Sequence, residues 1–178
     1  HQTISDSFKH MAETIPDRSA VVYKDKKYTY KELDEISDRL GKYIVSLGIG
    51  REDVVSILIP RCEYMAIAPM GVIKAGAAYQ PLDSTYPKDR LMYMLEDSSA
   101  KLLIADRELL SLVDGYNGPV LFTDEILSLD DTGAELGRPD VHDLFILLYT
   151  SGSTGVPKGC MLEYGNITAF CHWYRKYY

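Results

Sequence analysis

The stretch LFILLYTSGSTGVPKG, residues 144–159, joins a strongly apolar run to a loop of small and polar residues. The run LFILLYT predicts a β-strand. The ten residues after Tyr149 contain three glycines, four hydroxyl side chains, one proline and one lysine. In open α/β sheets, ligands bind beyond the carboxyl ends of the strands, and this loop would lie at such an end.

Outward from this stretch, predicted strands alternate with predicted helices. An amphipathic helix follows Thr29, whose spacing to Glu32 matches a capping box. The polar and acidic residues 128–143 predict a long surface loop. Three further apolar runs predict strands, VVSILI, KLLIA and PVLFT, at residues 54–59, 101–105 and 119–123. The alternation predicts an α/β fold in layers, with a mainly parallel sheet and flanking helices.

Charge and composition exclude several classes of protein. The 178 residues carry a formal net charge of −7, which disfavours binding to nucleic acid or to anionic lipid. No apolar run reaches the roughly 20 residues that span a bilayer. The three cysteines lack metal-ligand spacing, which favours reduced thiols. We expect a cytoplasmic protein without a nucleic-acid partner, a membrane partner or a metal site.

The loop after the apolar strand has the chemistry of a polyphosphate site. Its glycines let the backbone turn with the amides pointing outward, its hydroxyls donate hydrogen bonds, and its lysine neutralises charge. It matches neither G-x-x-x-x-G-K-[ST] nor G-x-G-x-x-G. The alternative is a flexible surface turn rich in small residues. The predicted binding residues are Thr150, Ser151, Gly152, Ser153, Thr154, Gly155, Lys158 and Gly159.

Three motifs resemble one family. YTSGSTGVPKG, residues 149–159, resembles the phosphate-loop motif of the adenylate-forming superfamily, which includes acyl-CoA synthetases, luciferases and nonribosomal peptide synthetase adenylation domains. Residues 74–104, which begin KAGAAYQPLD, resemble a second core motif of the peptide synthetase branch, and YTYKEL at residues 28–33 resembles the first. Their order and spacing agree over essentially the whole chain. Two positions depart from the pattern: Tyr164, where a histidine is common, and Ser84, where a proline is common.

This resemblance implies a function and a place in a larger domain. It implies ATP-dependent activation of an amino acid as aminoacyl-AMP, with Mg²⁺, followed by transfer to the phosphopantetheine arm of a carrier protein. Such adenylation domains are longer than this chain. The resemblance therefore implies that residues 1–178 are the N-terminal portion of the large domain, truncated at the C-terminal end, and hold no complete catalytic set. The rest of the domain would be a partner, and the separate piece would self-associate.

Two alternatives stay open at this point. The chain could come from an acyl-CoA synthetase or aryl acid ligase, or it could be a non-catalytic interaction module of the same fold. The sequence does not distinguish which acid is activated. The C-terminal residues 170–178, which include five aromatic residues, predict a helix that packs on the rest of a domain. The paired acids Glu96 and Asp97 predict a solvated turn, and His142 and His172 predict surface positions.

Overall fold

A computed structural model of the protein describes residues 3–151 and 155–177. The helices are α1 Ile4–Thr14, α2 Tyr30–Ser46, α3 Tyr64–Lys74, α4 Lys88–Asp97, α5 Thr123–Ile126 and α6 Tyr164–Tyr177, with a 3-10 helix at Arg107–Val113. The strands are β1 Ser19–Tyr23, β2 Lys26–Thr29, β3 Val54–Leu58, β4 Ala78–Pro81, β5 Leu102–Ala105, β6 Val120–Phe122, β7 Leu144–Ser151 and β8 Pro157–Glu163.

The main sheet has the strand order β6-β5-β3-β4-β7-β8 in the described part of the chain. The first five of these strands are parallel to one another, and β8 returns antiparallel to β7 at one edge. Strands β1 and β2 form a separate antiparallel hairpin. The prediction of a layered α/β fold with a mainly parallel sheet is therefore confirmed.

Two large apolar clusters of the described core lie on opposite faces of the sheet, and two smaller ones include side chains of β7. Val55 and Ile57 of β3 pack in one cluster with side chains of α2 and α3. Leu58 of β3 and Leu103 of β5 pack in the other cluster with Leu91 of α4. All five residues of β3 are buried, as expected for a parallel strand covered on both faces.

The chain passes from β3 to its neighbour β4 in one direction across the sheet, and from β4 to β5 in the opposite direction. Helix α3 follows β3 on one face, and α4 follows β4 on the other, so the two adjacent strands lead to opposite layers. Such a switch point opens a crevice at the carboxyl ends of the strands, where ligands bind in sheets of this kind. The neighbouring β7 ends at the same edge, because it runs parallel to β4.

The start of α2 confirms the predicted cap. Thr29 Oγ1 accepts a hydrogen bond from the amide of Glu32 at 3.2 Å, and the Glu32 carboxylate accepts one from the amide of Thr29 at 2.8 Å. This reciprocal pair satisfies two amides that the helix itself leaves without acceptors. The same helix carries Asp34 and Asp38, which form ion pairs with the buried Lys74 of α3.

The acidic segment before β7 has no regular structure, as predicted, but it does not lie wholly at the surface. Asp131 pairs with Lys42 of α2 at 2.6 Å. Asp143 is buried, and its carboxylate accepts two hydrogen bonds from the guanidinium of Arg51, at 2.7 and 2.8 Å. These bonds lower the pKa of Asp143 below its usual value, against the opposing effect of burial. The end of this segment is therefore held by an ion pair to the turn that precedes β3.

We expect Asp143→Asn to destabilise the protein at neutral pH and to do so less in acid. The folded pKa of Asp143 is lowered, so its ionised form contributes stability above the unfolded pKa of about 3.9. That contribution is lost as pH falls through the folded pKa. Urea unfolding at a series of pH values should therefore show a difference from wild type that narrows below about pH 4. The exposed Asp130, changed to Asn, is the control, and a pH-independent loss in Asp143→Asn contradicts the expectation.

Candidate functional site

The described members of the predicted phosphate-binding set lie in or beside strands β7 and β8, at the carboxyl edge of the sheet. Thr150 and Ser151 end β7, whereas Lys158 and Gly159 belong to β8. The sequence predicted one loop from residue 151 to 159, and the structure corrects its end, because β8 already begins at Pro157. The backbone of residues 157–159 pairs with the end of β7 instead of remaining a loop.

The pairing brings Lys158 directly opposite Thr150. Side chains that face each other across an antiparallel pair lie on the same face, so the ammonium group and the hydroxyl group share one side of the hairpin. Both residues are exposed. Within residues 3–151 and 155–177, no carboxylate lies within 4.0 Å of Lys158 to neutralise it. Its charge is available for an anionic ligand.

Gly155 has a left-handed backbone conformation, as expected for a glycine at which the loop turns. Its φ is +77°, a left-handed value that disfavours residues with a β-carbon. It is exposed, and a β-carbon there would meet no atom within 4 Å, so space does not explain the glycine. The predicted residues Gly152, Ser153 and Thr154 lie outside the described residues. Their part in phosphate binding stays a prediction.

Gly159 has a packing role that the sequence did not suggest. It pairs with Tyr149, and a β-carbon at this position would lie 3.2 Å from Leu147 Cδ1 and 3.5 Å from Tyr149 Cζ. The glycine therefore avoids a tight contact with Leu147, and the Tyr149 ring lies at ordinary van der Waals distance from it. Its assignment as a phosphate-binding residue stays a prediction.

The hydrogen bond between Tyr149 and Asp97 was not predicted from the sequence. Asp97 was expected in a solvated turn, but it is the last residue of α4 and accepts a hydrogen bond from the Tyr149 hydroxyl at 2.6 Å. Burial, together with this bond, raises the pKa of Tyr149 above its usual value. The two residues are 52 positions apart in the chain, and no local pattern signals such a contact.

Tyr164, one of the two departures from the family pattern, is a buried residue at the start of α6. Its hydroxyl donates to the backbone oxygen of Ala77 at 2.9 Å and lies 3.3 Å from that of Ile73. Its ring packs edge-on against Phe145 of β7. Burial raises the pKa of this tyrosine. The residue thus joins α6 to the sheet through packing.

Other features of the described residues do not suggest a second catalytic centre. Among residues 3–151 and 155–177, no group of three or more His, Cys, Asp or Glu side chains could hold a metal ion. His142 lies at the surface, 3.2 Å from the Glu163 carboxylate. In the same ranges, no helix is long and apolar enough to cross a membrane. A cavity of about 770 Å³ opens between α1 and α6, and its lining includes none of the predicted phosphate-binding residues.

Comparison with known proteins decides the family. The sequence profile named AMP-binding enzyme matches residues 8–178. The chain belongs to the AMP-binding enzyme family. Among solved structures, this AMP-binding enzyme chain is similar to the N-terminal subdomain of Klebsiella oxytoca NpsA in complex with 3-hydroxybenzoyl-AMSN. That similarity has a TM-score of 0.78 and 28% identity, and it covers 93% of this chain and 42% of that one.

Curated proteins among the most similar to this AMP-binding enzyme chain are nonribosomal peptide synthetases. It is 39% identical over 166 residues to tyrocidine synthase 3 of Brevibacillus parabrevis, covering 93% of this chain and 3% of that protein. It is 37% identical over 180 residues to surfactin synthase subunit 2 of Bacillus subtilis (strain 168), covering 97% and 5%. The chain thus spans only a few per cent of the length of the curated relatives it matches.

A fatty-acid ligase shares the fold of this AMP-binding enzyme chain. A putative long-chain-fatty-acid CoA ligase from Rhodopseudomonas palustris superimposes with a TM-score of 0.82 at 20% identity, over 94% of this chain and 46% of that one. At that identity the similarity concerns the fold alone. The structural likeness therefore does not separate the peptide synthetase branch from the ligase branch.

Proposed function

We propose that this chain provides the pyrophosphate-binding part of an adenylation domain, which activates an amino acid with ATP as aminoacyl-AMP. Residues 1–178 form the N-terminal portion of a longer domain in this proposal. The activated acid then passes to the phosphopantetheine thiol of a carrier protein in the cytoplasm, where ATP is supplied. The family match and the peptide synthetase relatives support the reaction class.

One structural observation carries the proposal. The pairing of β7 with β8 places Lys158 opposite Thr150, at the carboxyl edge of a parallel sheet next to its switch point. A lysine without a neighbouring carboxylate in the described ranges, beside exposed hydroxyls and a left-handed glycine, suits a polyanion. The charge, the donors and the position in the fold agree on a phosphate group.

The hairpin would act on the leaving group of the reaction. A carboxylate oxygen of the amino acid forms a bond to the α-phosphorus of ATP, and the bond from that phosphorus to the bridging oxygen breaks. Pyrophosphate departs with the bonding electron pair, so negative charge grows on it. Lys158 would neutralise part of this charge, and the Thr150 and Ser151 hydroxyls would donate hydrogen bonds to it. Donors that are fixed before the reaction stabilise the transition state without reorganisation.

The described residues fit the phosphates of ATP better than they fit a metal ion. Lys158 and the hydroxyls are donors, whereas Mg²⁺ prefers oxygen ligands, chiefly carboxylates, phosphates and water. No cluster of acidic residues in the described ranges could hold a metal ion. In this proposal Mg²⁺ binds with the nucleotide, and its protein ligands come from other parts of the domain.

The rest of the adenylation domain would cover the β8 edge and α6. In the described part of the chain no strand pairs with the outer edge of β8. Met161 of this strand is 70% exposed, and large apolar side chains of α6 such as Phe170 are also exposed. Exposed patches of this kind occur at interfaces. The solved NpsA chain, of which this chain covers 42%, supports a larger folded unit.

We expect the separate 178-residue chain to self-associate, because these apolar side chains would then face water. Light scattering over a range of concentrations measures the mass of the species. Met161→Lys should lower the associated fraction, since it places a charge in the exposed patch. The matched control is Val22→Lys on the β1–β2 hairpin, where an exposed apolar residue lies outside the patch. A monomer at all concentrations contradicts this expectation.

The test of the proposed function is amino-acid-dependent exchange of labelled pyrophosphate into ATP by the full-length protein. A panel of amino acids, aryl acids and fatty acids should show exchange with an amino acid. The 178-residue chain alone should show none, because the proposal places the remaining nucleotide and substrate contacts elsewhere. Robust exchange by the separate chain would overturn the proposed domain boundary.

The same panel separates the two alternatives. Exchange with a fatty or aryl acid and not with an amino acid, followed by transfer to coenzyme A, would favour the ligase branch. Absence of exchange with every acid, in a folded full-length protein, would favour a non-catalytic interaction module.

A further inference from the structure

Tyr149, near the carboxyl end of β7, links the β7–β8 hairpin to helix α4 on one face of the sheet. Its hydroxyl donates to Asp97 Oδ2 at 2.6 Å. Its ring meets the ring of Tyr93 edge-on, with centroids 6.5 Å apart. Asp97 and Tyr93 both belong to α4. One side chain of β7 therefore has two contacts with the last part of this helix.

Asp97 is exposed, and its place at the end of α4 gives the carboxylate a reason to accept a hydrogen bond. Asp97 is the last residue of α4, and the last turn of the helix has no basic residue. A carboxylate there is disfavoured by the negative end of the helix dipole. A hydroxyl that donates to a carboxylate forms a short, charge-assisted bond, which offsets this cost. A phenol is a protonated donor at physiological pH, and burial with the bond to Asp97 raises the pKa of Tyr149 further.

The end of α4 is itself fixed to the centre of the sheet. Gln80 of β4 is fully buried, and its Nε2 donates to the backbone oxygen of Met94 at 3.1 Å. Its Oε1 accepts from Ser56 of β3 at 2.6 Å and from Ser98, just after α4, at 2.9 Å. A buried network whose members are all satisfied holds its elements rigidly. Asp97 thus lies between two residues that this network anchors.

The other side of the Tyr149 ring lies against β8. The ring lies beside Gly159, because Cζ is 3.5 Å from the place where a β-carbon of that residue would be, an ordinary van der Waals separation. The next residue pair along the hairpin is Thr150 with Lys158. The ring is therefore held between α4 and β8, one residue from the pair proposed to bind pyrophosphate.

We propose that Tyr149, held by Asp97, is a positioning residue that sets the hairpin of Thr150 and Lys158 relative to the sheet. The inference rests on the proposed function of that hairpin. Tyr149 acts through its neighbours and does not touch the nucleotide. A displacement of about 1 Å at a group far from the reacting atoms can lower a rate by roughly a hundredfold. The hairpin keeps its strand pairing without the bond, so we expect a smaller loss.

The test uses the full-length protein with the changes Tyr149→Phe and Asp97→Ala, singly and together. Each single change should lower the kcat of amino-acid-dependent pyrophosphate exchange about tenfold and leave the KM of the amino acid unchanged. The double variant should be no slower than either single variant, since both remove the same bond. Asp97→Asn, which keeps an acceptor oxygen, should recover part of the rate. Losses that multiply in the double variant would overturn the proposal.

Tyr93→Phe is the matched control. It removes a hydroxyl from the same aromatic pair, and that hydroxyl forms no hydrogen bond with the described residues. Its ring contact with Tyr149 stays, so exchange should proceed at the wild-type rate. A loss in Tyr93→Phe equal to that in Tyr149→Phe would mean that the hydrogen bond to Asp97 has no special part.

Amide hydrogen exchange provides a readout that does not depend on ATP. Without nucleotide, Tyr149→Phe and Asp97→Ala should speed exchange of amides in residues 144–163 and leave β3 and β5 unchanged. If the wild-type protein activates no acid, the proposed function fails, and this measurement alone decides the inference. Unchanged exchange in the hairpin of both variants would overturn it.

Discussion

Lys158→Ala should lower the rate of the proposed adenylation by the full-length protein about a hundredfold, because it removes the proposed electrostatic contact to the departing pyrophosphate. Lys158 is exposed and has no ion-pair partner within residues 3–151 and 155–177. The folded state therefore loses little with it, and stability should change by about 0.5 kcal/mol or less. Pyrophosphate exchange measures the first quantity, and thermal unfolding measures the second.

Two further variants sharpen this expectation. Lys158→Arg should recover only part of the rate, since a planar guanidinium differs in shape from a compact ammonium. Lys101→Ala is the matched control. This exposed lysine directly precedes β5 and therefore lies at the amino ends of the parallel strands, away from the hairpin loop. Near-normal kinetics in Lys158→Ala would mean that the assignment of Lys158 is wrong, and would leave only the amides and hydroxyls of the hairpin as candidate phosphate donors.

Gly71→Ala should cause a large loss of stability. Gly71 is buried in α3, and a β-carbon there would overlap Cγ and Cδ2 of Leu40 in α2. Leu40 is fully buried and cannot move aside without displacing other core side chains. Overpacking of this kind costs about 3 kcal/mol. The midpoint of urea unfolding of the domain should fall, with the m-value unchanged.

Gly50→Ala is the control for replacing a glycine by alanine where the added methyl group causes no overlap. A β-carbon at Gly50 would meet no atom within 4 Å, and its φ is not positive. Replacing a glycine at a compatible position stabilises a protein by about 0.4–1 kcal/mol, because the unfolded chain becomes less flexible. The two variants should therefore move the midpoint in opposite directions. Equal shifts would mean that close packing of α2 on α3 does not explain Gly71.

The local elements could be predicted because their signals lie within a few residues of one another. The cap of α2 needs only Thr29 and Glu32, three positions apart, and both of its hydrogen bonds form as expected. The continuous apolar run at residues 54–59 predicted a buried strand, and β3 lies between two apolar layers. The family could be predicted for the same reason, because its motifs are short and contiguous.

The end of the loop could not be predicted from its composition. Glycine, proline and lysine at residues 157–159 read as a continuing loop, yet these residues pair with the end of β7. Strand pairing depends on which backbone edge is available, and that edge exists only once the sheet has formed. Only this pairing brings Lys158 opposite Thr150.

The surroundings of the hairpin were decided by contacts between distant parts of the chain. Asp97 reads locally as an exposed acid, and only the packing of α4 beside β7 brings it to Tyr149. Arg51 and Asp143 are 92 positions apart, and their ion pair follows from the meeting of two loops at the start of the sheet. By itself, the sequence determined the parallel strands, the main helices and the polar residues that are predicted to bind phosphate. The tertiary structure alone decided which residues position the β7–β8 hairpin, because the periodicity of a sequence does not predict contacts between distant parts of the chain.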